Sequence, residues 1–249
     1  MGGHLLAAGT PLAVYDPAGG ASDALAALGA EVCSGAHEVA AGSDLVLIVV
    51  VDDDQTWKAA EECFEGASRG LVVALCASIR PDTCRSLAEL GRRRGVDVVD
   101  AALVRGERGA EAGRLALFCG GPPDVIDELR RAVAPFAPDV IRVGGVGAGQ
   151  VAKSVNNILL WACLRADYEA LRLGRALGVE PEAIREAVAL GSGANRPLEE
   201  WGQHRLRWPR KDLEVALALA KEAGLELPFV STLPALLDAL SVDDLAELR

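Results

Sequence analysis

Aromatic residues make up only 4% of this 249-residue chain, methionine occurs once, and the three histidines (His4, His37, His204) are scattered. The six cysteines (33, 63, 76, 84, 119 and 163) stand singly with no CxxC spacing. That excludes a disulfide framework or a zinc site and leaves them as small buried hydrophobes. No long apolar run exists either. The strongest, Leu45 to Val51, ends at Asp52, far short of the roughly 20 residues a membrane helix needs. Basic charge is in deficit, 25 Lys and Arg against 36 Asp and Glu for a net charge of -11. Such a surface repels phosphate backbones and anionic lipid, which sets nucleic acid and membranes aside as partners. The opening residues lack the basic start of a secretory signal, so the cytoplasm is the expected compartment.

A hydrophobic content of 51% is enough for a real core. Up to about residue 145, short β-branched runs alternate with Ala- and Leu-rich stretches, the pattern of βα units on a mostly parallel sheet. Strands are expected at Leu12 to Tyr15, Leu45 to Val51, Leu71 to Leu75, Val96 to Val99, Leu115 to Cys119 and Val140 to Val143. Helices are expected near 21–29, 55–66, 81–94 and 123–135. After the glycine cluster GGVGAGQ (144–150) strands stop. A helix is expected over about 149–177, apolar around most of its circumference and therefore buried on most sides. Shorter helices should follow near 181–190, 210–224 and 228–239. The division is an α/β domain over 1–145 and an all-helical domain over 146–249.

Two stretches carry chemistry. Asp16 ends the first expected strand and precedes PAGGAS. An acidic residue there can accept hydrogen bonds from the adenosine ribose and repel a 2'-phosphate, favouring NAD over NADP, though Asp before Pro-Ala-Gly-Gly is equally a turn residue. In GGVGAGQVAKSVNN (144–157) the glycines allow a tight entry into a helix, and Lys153 and Asn157 share one face at i and i+4. A buried lysine can relay a proton to or from an alcohol, and an asparagine amide can hold the hydroxyl. Only four of the 25 basic residues are lysine, at 58, 153, 211 and 221. A chain that uses arginine wherever plain charge suffices has specific uses for Lys153 and Lys211.

These motifs resemble the β-hydroxyacid dehydrogenase family. GGVGAGQVAKSVNN is similar to the family's GxxGxGxxxKxxxN motif, AEAGRLALFCGG (110–121) to AxxGxLxxxxGG, ASIRP (77–81) to STxxP, and RKDLEVALALAKEAGLELP (210–228) to KDLxLAxxxAxxxGxxxP. The resemblance implies a Rossmann-type α/β domain followed by a helical substrate and dimerisation domain. It implies Lys153 as acid/base and Asn157 as substrate ligand. Val50, Val51, Ser78 and Lys211 then join Asp16 in binding the cofactor. It further implies a homodimer, no metal, and hydride transfer between a nicotinamide and a short hydroxyacid or semialdehyde.

Two departures stand out. Where the family reads DAPVSGG, this chain reads DAALVRG (100–106), so Val104, Arg105 and Gly106 occupy the substrate-binding segment and Arg105 becomes a candidate carboxylate ligand. The opening MGGHLLAAGTPLAVYD lines up with the segment after the family's first strand and GxGxxG loop, leaving about twenty family residues without a counterpart. Loss of that central strand predicts two unpaired inner edges, and loss of the loop removes the family's main anchor for the cofactor pyrophosphate. A start assigned too late, a shortened fragment and a natural product without NAD binding all fit; retention of Asp16, Lys153, Asn157 and Lys211 favours the first two. Two other functions compete with a dehydrogenase: a non-catalytic dimeric scaffold, and an imine reductase, whose fold is the same but which usually lacks the lysine.

Overall fold

The computed structural model describes residues 1–249. It forms two compact units, Met1–Lys153 and Ser154–Arg249.

The first unit opens with helix α1 (Gly2–Ala7), strand β1 (Ala13–Val14), α2 (Gly20–Ala26), β2 (Glu31–Val32) and α3 (Ala36–Ala41). It continues through β3 (Leu45–Ile48), α4 (Asp53–Gly66), β4 (Val72–Leu75), α5 (Pro81–Arg92), β5 (Asp97–Val104), α6 (Gly106–Glu111), β6 (Ala116–Gly120), α7 (Pro123–Val133) and β7 (Asp139–Gly144). The sheet is split. β1 and β2 form a parallel pair of their own, while β3-β4-β5-β6-β7 make a five-stranded sheet in which only β5 and β6 run antiparallel. β3 is therefore an edge, paired with β4 alone. Both inner edges are short, four residues on β3 and two on β1, which limits the unpaired backbone each exposes.

Every residue of β4 is buried, which is why its sequence reads as an unbroken apolar run rather than an alternating one. Alternation survives as a division between faces. Val72 and Ala74 join Leu115, Leu117 and the Val125, Ile126, Leu129 and Val133 stripe of α7 around Phe136. Val73 and Leu75 join Ala60, Cys63 and Phe64 of α4 with Cys84 and Leu87 of α5. Leu5 of α1 lies in the first of these clusters, with Leu12, Leu45 and Leu47 packed against it, so α1 closes over apolar surface beside β3. His4 Nε2 ties α1 down against the carbonyls of Ala110 and Glu111.

The boundary between the units falls within the long helix α8 (Ala148–Ala176). The second unit continues with α9 (Pro181–Val188), α10 (Arg196–Glu199), α11 (Pro209–Glu222), a 3-10 turn over Val230–Thr232, α12 (Leu233–Asp238) and α13 (Val242–Ala246). Trp161, Leu164 and Leu171 of α8 pack with Leu213, Leu233, Leu237 and Leu245. The expectation that α8 is buried on most sides is corrected here. Val151, Val155 and Leu159 are 47%, 51% and 59% exposed, because their four-residue spacing puts them on one face that nothing in the chain covers. No helix is long and apolar enough to cross a membrane.

One close approach fixes the α3–α4 packing. A Cβ at Gly66 would lie 1.9 Å from the His37 carbonyl oxygen, a backbone atom that cannot rotate away. Although alanine is ordinarily the better helix former, Gly66→Ala is expected to destabilise by about 1–3 kcal/mol. Thermal unfolding checks this: the midpoint should fall by roughly 2–4 °C per kcal/mol for a chain of this size, and a rise would contradict the packing.

Candidate active site

The carboxyl ends of the parallel strands bring several sequence-predicted residues to one edge of the first unit, the side on which open α/β sheets hold ligands. β3 leads into Val49, Val50 and Val51 before Asp52 caps α4 by accepting from Gln55 N at 2.9 Å. Val51 donates its amide to Gln55 Oε1 at 3.2 Å. Val49 and Val51 stay about half exposed, an apolar rim suited to the face of a flat heteroaromatic ring. β4 leads into Cys76, Ala77, Ser78 and Ile79 before α5. Asp53 stitches the two loops together, its Oδ1 accepting from Arg80 N at 3.0 Å and from the Thr83 hydroxyl at 2.5 Å.

β5 outruns β4. Leu75, the last residue of β4, pairs with Asp100, and β5 continues four residues beyond it to Val104. Asp100 is fully buried. Its Oδ1 accepts from Gly147 N at 2.5 Å and its Oδ2 from Gln150 N at 3.0 Å, so a carboxylate from the sheet caps a helix whose entry, Gly-Val-Gly, offers no capping side chain of its own. Burial pushes the Asp100 carboxyl above its ordinary value, and the amides of Gly147, Gln150 and Gly149 pull it back part of the way. Neighbours must be small. A Cβ at Gly120 or Gly149 would meet this carboxylate at 2.4 or 2.6 Å.

Gln150 faces the other way with its side chain. Nε2 donates to the Ala77 carbonyl at 2.7 Å and Oε1 accepts from Ile79 N at 3.2 Å, bracketing Ser78. Lys153 follows three residues later on α8 and is half-buried. Sequence reasoning missed Asp53, Asp100 and Gln150. Asp100 carried a signal, a charge inside the apolar run VVDAALV, since a buried charge demands partners. Gln150 shared the helical face of Lys153.

The remaining predicted residues fall elsewhere. Asp16 follows β1 on the separate two-stranded sheet, and its Oδ1 accepts from Ala18 N at 2.9 Å, forming the turn that its surroundings suggested. Arg105 adopts a left-handed conformation (φ 81°) between Val104 and Gly106. Its guanidinium is ion-paired with Asp139 at 2.6 Å and donates to the Arg114 carbonyl at 3.0 Å, so a substrate carboxylate has to compete for it. Asn157 and Lys211 belong to the second unit, Asn157 buried on α8 and Lys211 half-buried on α11. Trp161 Nε1 donates to Asp212 Oδ2 at 3.1 Å, locking the start of α11 onto α8.

All six cysteines are unpaired. Burial pushes Cys63 up to about 11 and Cys76 and Cys119 to about 12, which keeps these thiols protonated and unreactive at neutral pH.

Comparison with known proteins supplies the family. Residues 1–145 match the NAD binding domain of 6-phosphogluconate dehydrogenase, and residues 147–247 match the NAD-binding domain of NADP-dependent 3-hydroxyisobutyrate dehydrogenase. The 2-(hydroxymethyl)glutarate dehydrogenase of Eubacterium barkeri is 28% identical over 92% of this chain and 80% of its own length. The NAD-dependent L-serine dehydrogenase of Pseudomonas aeruginosa is 31% identical over 84% of this chain and 70% of its own length. The solved structure of Mycobacterium tuberculosis 3-hydroxyisobutyrate dehydrogenase with L-serine aligns at a TM-score of 0.89, covering 100% of this chain and 94% of that one, with 23% identity, a likeness of fold. The chain belongs to the β-hydroxyacid dehydrogenase family.

Proposed function

We propose that this chain oxidises a short hydroxyacid, or reduces the corresponding semialdehyde, with NAD as cofactor and Lys153 as the acid/base. The observation that carries the reading is the placement of Lys153, one of only four lysines, on the first turns of a helix that Asp100 and Gln150 fasten to the ends of β4 and β5. Residues 1–145 serve as the cofactor domain and 146–249 as the substrate and dimerisation domain.

The cofactor, when bound, accepts or supplies the hydride. Val50 and Val51 offer apolar contact to its rings, Ser78 a hydroxyl, and Lys211 a cation. Asp16 accepts from the ribose hydroxyls and repels a 2'-phosphate, which is what favours NAD over NADP. During oxidation Lys153 takes the proton from the substrate hydroxyl as the C–H bond breaks; during reduction its ammonium returns that proton to the carbonyl oxygen. The Asn157 amide holds the same oxygen, and the Val104, Arg105 and Gly106 segment receives the carboxylate end. An ammonium aimed at an oxygen suits carbonyl and alcohol chemistry better than imine reduction. The substrates named for the relatives above, L-serine, 2-(hydroxymethyl)glutarate and 3-hydroxyisobutyrate, all place a primary alcohol one carbon away from the carbon that bears a carboxylate, and we assign that class here. Six reduced cysteines suit the cytoplasm, where thiols persist. The uncovered Val155 and Leu159 on α8 support a homodimer; sedimentation as a monomer at micromolar concentration would remove that part of the reading.

Assaying the three hydroxyacids with NAD tests the chemistry. Lys153→Ala should lower kcat/KM by about 10²–10⁴, the range a positioned acid/base contributes, while the unfolding midpoint stays near that of the parent. Lys153→Arg should fare no better, because a guanidinium does not release its proton. Turnover that survives both changes would contradict the assignment. A parent chain with no turnover on any of the three would fit the scaffold or a shortened fragment, and would contradict turnover by this chain.

A further inference from the structure

Gln150 is 1% exposed, and so is isolated from solvent, yet it makes polar contacts on both sides. Its backbone amide donates to Asp100 Oδ2 at 3.0 Å, while its side chain donates to the Ala77 carbonyl at 2.7 Å and accepts from Ile79 N at 3.2 Å. Ala77 and Ile79 are themselves buried, at 4% and 2% exposure, leaving Ser78 as the partly exposed residue between two anchored neighbours. One amide side chain thus spans from the first turn of α8 to the loop after β4. Asp100, reaching the same turn from β5 through Gly147 N and Gln150 N, removes the helix's freedom to slide along the sheet.

We propose that Gln150 is a positioning residue for hydride transfer: by clamping the Ser78 segment to the first turn of α8, it sets Lys153 in fixed register with the cofactor-contacting edge of the sheet. The proposal rests on the roles given to Ser78 and Lys153 above. Gln150, buried between α8 and the loop after β4, acts without touching substrate or cofactor. Its contribution comes through geometry, since a displacement on the order of 1 Å at a reacting group can cost about 100-fold in rate.

Two variants of the full chain test it. Gln150→Met keeps the side-chain length and removes both side-chain hydrogen bonds. Gln150→Asn keeps an amide but withdraws it by one methylene, weakening both bonds without burying a charge, so it serves if the first variant folds poorly. Per folded molecule, kcat should fall by about 10- to 100-fold in Gln150→Met and by no more than that in Gln150→Asn, with KM for the hydroxyacid changing by less than about threefold. A residue with a merely structural role would lower the folded fraction and leave kcat per folded molecule within about twofold of the parent, and that result would overturn the proposal. Amide hydrogen exchange without any ligand separates this from failure of the functional reading. If the clamp operates, Gln150→Met should speed exchange over residues 147–153 together with residues 77–80. Unchanged protection over 147–153 would overturn the proposal even if the parent shows no turnover, whereas retained turnover in Lys153→Ala would count against the functional reading alone.

Discussion

A carboxylate taken out of water costs several kcal/mol unless donors replace the solvent, and at Asp100 the donors are the first amides of α8. That requirement runs in both directions. The sheet would not tolerate the charge without the helix, and the helix, entered through Gly145, Val146 and Gly147, has no local side chain to occupy its first N–H groups. Each supplies what the other lacks, and the negative charge also lies where the helix dipole favours it. The glycines of this region follow from the same contact, because Gly120 and Gly149 sit where any Cβ would strike the carboxylate. The direction and start of α8, and so the placement of Lys153, depend on a residue that takes no part in the chemistry.

The split sheet sets the limits of the cofactor side. β3, β4 and β5 pair in continuous parallel register with a buried cluster on each face, so the loops that follow β3 and β4 hold stable relative positions, reinforced by Asp53. β1 and β2 pair only with each other over two residues, which gives Asp16 a support less extensive than that of Ser78. In the second unit, the Trp161–Asp212 hydrogen bond fastens the start of α11, and with it Lys211, to the helix that carries Asn157.

Much of the architecture was legible because burial on both faces of a parallel sheet leaves unbroken apolar runs. The strand at residues 72–75 and the helices at 81–92 and 123–133 lie within a few residues of their expected bounds. What escaped was short. β2 is two exposed residues, Glu31 and Val32, with no periodicity to read, and α1, α3 and α6 have six residues each, too few to show a repeat. The strand expected at 96–99 runs on to Val104, because its pairing with β6 follows from a tertiary partner rather than local pattern. Lys153 stood out through the rarity of lysine, whereas Gln150 did not, since nothing local shows that a glutamine side chain reaches a backbone segment more than 70 residues earlier. The apolar ring of α8 misled in the opposite sense, as Val151, Val155 and Leu159 remain uncovered.

Cofactor binding by the chain as it stands is the most direct test of the account. Thermal unfolding of the full chain should be measured alone, with NADH and with NADPH, since a ligand that binds only the native state stabilises by RT ln(1 + [L]/Kd), about 2.7 kcal/mol at 100 times Kd. The midpoint should rise with NADH and rise less with NADPH. A midpoint unmoved by either cofactor would contradict cofactor binding by this chain.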